Sequence, residues 1–84
     1  MSGEHHFTAS VTWDANERSG SLASGTGHLS TTFGGAPSLG GRVDRTNPEE
    51  LLLGALLACF VQTWAIFLTK LRVPVESPRV DGTL

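Results

Sequence analysis

Residues 46–60 read T-N-P-E-E-L-L-L-G-A-L-L-A-C-F and contain the start of a long helix. Asn47 is a favoured N-cap residue, and Pro48 suits the first helical position, where no backbone N–H is needed. Glu49 and Glu50 then place negative charge in the first turn, where the helix dipole favours it. The stretch therefore predicts a helix that begins at residue 48.

The helix is apolar on nearly every face, since residues 51–68 carry no charge and two clearly polar side chains, Gln62 and Thr63. Pro74 disfavours helical backbone at the residue before it, which predicts a helix over about 48–72. Such a helix either crosses a membrane or is buried on all sides by protein. The capped, acidic helix start is typical of soluble proteins and favours a buried central helix. The small residues Gly54, Ala55 and Ala58 also favour it, because they allow close packing against another element.

The first half of the chain has the period of a sheet. Phe7, Ala9, Val11 and Trp13 alternate with polar residues, which is typical of a half-buried strand. Polar turns and short apolar runs follow, so we expect antiparallel strands within residues 6–33. The glycine-rich residues 34–46 predict a mobile loop, and weak alternation in residues 79–84 predicts the start of another strand.

Length and cysteine content indicate a partner. A chain of 84 residues buries only roughly 60% of its unfolded surface, and small domains usually add disulfides, a metal or another subunit. The one cysteine cannot form an internal disulfide, and His5, His6 and His28 do not combine with it at zinc-ligand spacings. We therefore expect no metal and no cofactor, and support from a second chain.

The charge balance excludes one class of partner. Six Lys and Arg residues stand against eight Asp and Glu, without a basic cluster, so nucleic-acid binding is not expected. The first residues, M-S-G-E-H-H, lack the apolar run of a secretory signal. A lone thiol without such a signal fits the reducing cytoplasm, which is the expected location.

Three segments resemble the OsmC/Ohr family, the osmotically inducible and organic hydroperoxide resistance proteins. Residues 46–60 resemble the family's central-helix motif and are the most specific of the three. V-T-W-D-…-E-R-S-G-S-L in residues 11–22 is similar to its first hairpin, and K-L-R-V-P-V-E-S in residues 70–77 is similar to its helix exit.

The resemblance implies an α+β fold in which an antiparallel β-hairpin or sheet is followed by a long buried central helix, with two chains in an intertwined homodimer. We expect a single OsmC-like domain over residues 1–84 that lacks the family's C-terminal half. In the family, that half carries a second helix with a resolving cysteine.

The resemblance also implies a thiol peroxidase that reduces organic hydroperoxides, and hydrogen peroxide less well, in oxidative and osmotic stress defence. The reactive cysteine falls on Cys59, the hairpin arginine on Arg18 and the motif glutamate on Glu49. The reductant is expected to be an external dithiol or thiol. An arginine beside the thiol would favour the thiolate, and a carboxylate would hold the guanidinium by a paired hydrogen bond.

Each of these residues also has an ordinary structural interpretation. Cysteine is usually inert core packing, an arginine in a turn is usually a solvated charge, and Glu49 complements the helix dipole. Glu49 and Cys59 are separated by about 15 Å along a helix axis, so one helix alone does not bring them together. Two antiparallel helices from two chains would, which predicts composite sites in a two-fold dimer.

Two other functions remain open on the residues alone. One is a non-enzymatic OsmC-like dimeric module that binds an apolar ligand. The other is a small protein anchored in a membrane. We expect no membrane partner, so this function ranks below both the peroxidase and the apolar-ligand module.

Overall fold

A computed structural model describes residues 6–74 and 76–84, so the prediction about His5 lies outside the described residues. The chain is α+β: a three-stranded antiparallel sheet is followed by one long helix, as the sequence predicts. The elements are β1 (Ala9–Asp14), β2 (Ser19–Ser24), β3 (Ser30–Phe33), a 3₁₀ turn (Pro37–Leu39) and α1 (Pro48–Lys70). They form two compact units, Met1–Pro48 and Glu49–Leu84.

The sheet has the order β1-β2-β3 and one apolar face. Val11 pairs with Leu22 and Trp13 pairs with Gly20, which in turn pairs with Phe33. The rings of Trp13 and Phe33 lie 6.0 Å apart across the sheet. A side chain at Gly20 would collide with the Phe33 ring, so glycine lets these two aromatic rings meet over β2.

The turn between β1 and β2 is closed by Asp14. Its Oδ1 accepts hydrogen bonds from the backbone N–H groups of Asn16 at 2.9 Å and Glu17 at 3.1 Å. Arg18 ends the turn with a φ of 51°, in the left-handed region that asparagine and glycine normally occupy. The turn of the hairpin therefore holds Arg18 in a backbone conformation that is unfavourable for a residue with a Cβ.

The segment from residue 34 to residue 47 has a more definite shape than the predicted mobile loop. The backbone N–H groups of Leu39 and Gly41 donate to the carbonyl of Ala36 at 2.9 and 3.0 Å. Gly40, with a φ of 82°, closes the 3₁₀ turn by donating to Pro37. Gly34 donates to the Thr46 carbonyl at 2.8 Å, so both ends of the segment are held beside β3.

Helix α1 begins at Pro48, as predicted, but ends at Lys70 rather than at residue 72. Arg72 follows the helix with a φ of 57°, and its backbone N–H donates to the Thr69 carbonyl at 3.1 Å. The Val73 N–H donates to the Leu68 carbonyl at 2.9 Å. This is a Schellman motif, which satisfies the last carbonyls of the helix before Pro74. The prediction missed it because glycine, the usual left-handed residue of the motif, is absent here.

None of the residues of α1 is buried in the single chain, and its burial by a second chain stays a prediction. One further expectation needs correction. Residues 79–84 form no strand, because no neighbouring strand in the described chain pairs with them. They instead approach α1 at Gly82, where a Cβ would lie 3.0 Å from the Leu57 side chain and 3.3 Å from that of Leu53.

Candidate functional site

Cys59 lies in the middle of α1 as an exposed, free thiol. Two apolar residues near Cys59 are also exposed: Leu56, three residues earlier on the helix, by 56%, and Phe60, the next residue after Cys59, by 62%. In a single chain, Cys59 is therefore not a buried core residue. The thiol is exposed to solvent and has apolar residues beside it in Leu56 and Phe60, while Gln62 and Thr63 lie one turn further along the helix.

Glu49 lies in the first turn of the same helix and is exposed. Ten residues separate it from Cys59, which corresponds to about 15 Å along the axis and roughly 80° around it. The helix therefore does not bring the carboxylate and the thiol together. Within one chain, Glu49 serves as a negative charge at the helix start.

Arg18 is held by the loop that follows the sheet. Its Nη1 donates a hydrogen bond to the Gly40 carbonyl oxygen at 3.1 Å. Arg18 and Gly40 both belong to the first compact unit, whereas Glu49 and Cys59 belong to the second. The partner of Arg18 within its own unit is thus a neutral backbone carbonyl.

The sequence reasoning missed a cluster of charges beside Arg18. Arg42 donates from Nε and Nη2 to the two carboxylate oxygens of Asp44, at 2.9 and 2.7 Å. Its Nη1 reaches Glu17, at 3.1 Å to the carbonyl oxygen and 3.4 Å to Oε2. The R-V-D spacing of residues 42–44 is the available signal, but the glycine-rich composition of residues 34–46 by itself predicts only a loop.

The cluster is electrostatically consistent. The hydrogen bond from Arg42 lowers the pKa of the Asp44 carboxyl below its ordinary value, and the charges of Arg42 and Arg45 act in the same direction. Asp44 in turn raises the pKa of Arg42. Arg45 Nη1 also lies 3.1 Å from Asp44 Oδ2, so this carboxylate bridges two guanidinium groups.

A second feature is an apolar cleft beside α1 within the second unit. Its volume is about 540 Å³. The helix contributes three aromatic side chains and a threonine, and the segment after it contributes the remaining two residues; the lining is Phe60, Thr63, Trp64, Phe67, Arg79 and Val80. The guanidinium of Arg79 is paired with Asp81 at 3.1 Å, so the cleft is mainly a binding surface for apolar groups.

Helix α1 is also long and apolar enough to cross a membrane, judged by length and composition alone. A 23-residue helix of this kind with no buried residue needs a covering surface of lipid or protein. Across residues 6–74 and 76–84, no group of three or more His, Cys, Asp or Glu side chains is placed to hold a metal ion.

Comparison with known proteins gives one relative and no activity. No protein-family model matches the chain, and no solved structure matches it significantly. The sequence is similar to the uncharacterized protein YmaD of Bacillus subtilis strain 168, with 32% identity over 80 residues. The match covers 94% of this chain and 52% of YmaD, so the chain spans about half the length of the curated relative it matches.

Proposed function

We propose that this chain is an OsmC/Ohr-like thiol peroxidase that reduces organic hydroperoxides through Cys59 in oxidative and osmotic stress defence. The observation that carries the proposal is the exposed free thiol in the middle of an apolar helix. The resemblance of residues 46–60 to the family's central-helix motif gives that thiol its role. The exposed apolar side chains of Leu56 and Phe60 beside it would favour an organic peroxide over hydrogen peroxide.

The reaction is a two-electron reduction of the peroxide bond. The Cys59 thiolate attacks the outer oxygen of ROOH, the O–O bond breaks, and the sulfur becomes a sulfenic acid while RO⁻ leaves and takes up a proton as ROH. A reductant thiol then condenses with the sulfenic acid, which releases water and forms a mixed disulfide. The second thiol of the reductant attacks the mixed disulfide and releases Cys59 as a thiol. The reductant is thereby oxidised to a disulfide.

Arg18 and Glu49 complete the proposed site. The guanidinium would favour the thiolate and stabilise the departing alkoxide, and Glu49 would orient the guanidinium by a paired hydrogen bond. Because Glu49 and Cys59 are about 15 Å apart along one helix, the site is composite. We propose a two-fold homodimer in which antiparallel helices bring one chain's Glu49 to the other chain's Cys59.

The thiol that resolves the sulfenic acid comes from outside these 84 residues, since Cys59 is their one cysteine. An external dithiol satisfies the chemistry best, because its second thiol attacks the mixed disulfide within the same complex. Dithiothreitol or dihydrolipoamide are suitable reductants for a test.

The test measures consumption of cumene hydroperoxide with dihydrolipoamide for the wild type and for Cys59→Ser. We expect the serine variant to fall to the uncatalysed background, because a hydroxyl is not ionised at neutral pH and does not form a sulfenic acid. Mass spectrometry of the wild type after one equivalent of peroxide should show one added oxygen on Cys59. Thr63→Ser, one turn away on the same helix, is the control and should keep the activity. Equal rates for wild type and Cys59→Ser would reject the proposal.

The apolar cleft supports one alternative, a non-enzymatic module that binds an apolar ligand. Its aromatic lining and volume of about 540 Å³ suit a small aromatic or acyl group. In a Trp13→Phe variant, Trp64 is the remaining tryptophan and reports directly on the cleft. Saturable quenching by a medium-chain fatty acid, together with no peroxide consumption, would favour this alternative over the peroxidase.

A further inference from the structure

The backbone of Arg18 is held from outside its own turn. The Nη1 of Arg42 donates to the Glu17 carbonyl oxygen at 3.1 Å, and this carbonyl belongs to the peptide group that joins Glu17 to Arg18. Rotation of that peptide group changes the φ of Arg18, which is 51°. A donor fixed on the carbonyl therefore resists its rotation and maintains the left-handed conformation of Arg18.

The donor itself is fixed in place. The other two nitrogens of the Arg42 guanidinium are occupied by both carboxylate oxygens of Asp44, and the Arg42 side chain is only 23% exposed. A paired arginine–carboxylate contact fixes orientation as well as distance. The guanidinium thus presents its Nη1 amino group to Glu17, whose carbonyl oxygen and Oε2 lie 3.1 and 3.4 Å from it.

The loop also meets Arg18 at two further points. The Arg18 guanidinium donates to the Gly40 carbonyl, two residues before Arg42. Gly34 is buried, and a Cβ there would lie 3.5 Å from the Arg18 carbonyl oxygen and 3.4 Å from the Arg42 Cβ. The loop therefore contacts both the backbone and the side chain of Arg18.

We propose that Arg42 is a positioning residue for Arg18: it fixes the peptide group before Arg18 and so sets the direction in which the Arg18 guanidinium leaves the hairpin. This inference rests on the proposed function for its catalytic consequence, because a peroxidase needs that guanidinium at a defined place. Arg42 itself need not touch thiol or peroxide. A left-handed residue kept at a functional position has this kind of external support.

The first measurement is independent of any activity. The ¹³Cα and ¹³Cβ chemical shifts of Arg18 report its backbone conformation, and we expect Arg42→Gln to move both away from left-handed values. Arg42→Lys keeps the charge but loses the planar fork, so we expect it to restore the shifts only in part. Arg45→Gln is the matched control, because it removes the other guanidinium on Asp44 without a contact to Glu17, and it should leave the Arg18 shifts unchanged.

The second measurement is steady-state reduction of cumene hydroperoxide by the same variants. We expect Arg42→Gln to lower kcat by about ten- to a hundredfold with KM within about twofold, since misplacing a catalytic group by about 1 Å can cost this much. Arg45→Gln should change neither constant.

The two measurements separate the possible failures. Unchanged Arg18 shifts in a folded Arg42→Gln protein would overturn the positioning role, whatever the activity. Equal changes of kcat in Arg42→Gln and Arg45→Gln would also overturn it, because a general loosening of the loop would then account for the loss. A wild type that consumes no peroxide would reject the proposed function, while the Arg18 shifts would still decide whether Arg42 fixes this residue.

Discussion

Arg18 combines a costly backbone conformation with a side chain that is the proposed source of positive charge at the thiol. An L-residue in the left-handed region is disfavoured by about 1 kcal/mol relative to glycine. Glycine would therefore be the better residue for the turn alone. Arginine nevertheless stands here at a φ of 51°, and the proposed role of its guanidinium would offset this cost.

A pair of substitutions separates the cost of the left-handed backbone from the contribution of the guanidinium. Arg18→Gly and Arg18→Ala both remove the guanidinium and its hydrogen bond to Gly40, but only the alanine variant retains the left-handed strain. We expect Arg18→Gly to be more stable than Arg18→Ala by about 1 kcal/mol in urea unfolding, because glycine has no Cβ to clash. Both variants should lose peroxide consumption equally.

Either of two results would contradict this account of Arg18. Equal stability of the glycine and alanine variants would show that the turn imposes no left-handed strain. Wild-type activity in Arg18→Ala would show that the guanidinium takes no part in the reaction.

At the scale of elements, the sequence predicts what local physical chemistry determines. Alternation around Val11 specifies a strand, and Pro48 with two following acids specifies where α1 begins. The sequence predicts a helix end at about residue 72, beyond the observed end at Lys70, because Arg72 adopts a left-handed conformation with no glycine to signal it. The Arg42 contacts were missed because they join segments that are 25 residues apart, which no local pattern reveals.

The candidate site was predictable only in part for the same reason. The resemblance of residues 46–60 to a known motif singles out Cys59 as the proposed thiol, and its position on an apolar helix follows from the sequence. Its exposure and the 3.1 Å contact between Arg18 and Gly40 depend on how the chain folds back on itself. A strand at residues 79–84 could not be verified from alternation alone, since a strand requires a neighbour with which to pair.

The loop that carries Arg42 and Asp44 should respond to acid. Because the folded-state pKa of Asp44 is lowered by Arg42, its ionisation stabilises the fold fully above the unfolded-state pKa of about 3.9. That contribution is lost as the pH falls through the lower, folded-state pKa. We expect the backbone amide signals of Gly40, Gly41 and Arg42 to shift in this acidic range in NMR titrations.

Asp44→Asn removes the titrating group and should abolish this acid transition of the loop. Asp81→Asn is the matched control, because Asp81 also pairs with an arginine but lies after α1. An identical acid transition in wild type and Asp44→Asn would show that another group controls the loop.

At the scale of the whole molecule, the dominant fact is a 23-residue apolar helix without one buried residue. The apolar face of the sheet is likewise open, with Val11 and Trp13 each 55% exposed. Hydrophobic burial is the main favourable term in folding, so a single chain that leaves this much apolar surface in water is at a disadvantage. A second copy offers equal apolar surface and would supply the other half of the proposed composite site.

The proposed dimer makes stability depend on concentration. We expect sedimentation equilibrium to give twice the chain mass of 8.9 kDa, and the thermal midpoint to rise with protein concentration, since association stabilises the folded state by mass action. Leu56→Lys places a charge on the exposed helix face beside Cys59. Burial of that unpaired charge in the interface should weaken the dimer by at least about a hundredfold. Ser10→Lys adds the same charge to an exposed position on the polar face of the sheet and should leave association unchanged. A monomer at all concentrations would contradict the dimer, and a wild type that stays in solution only with detergent would assign the helix to a membrane instead.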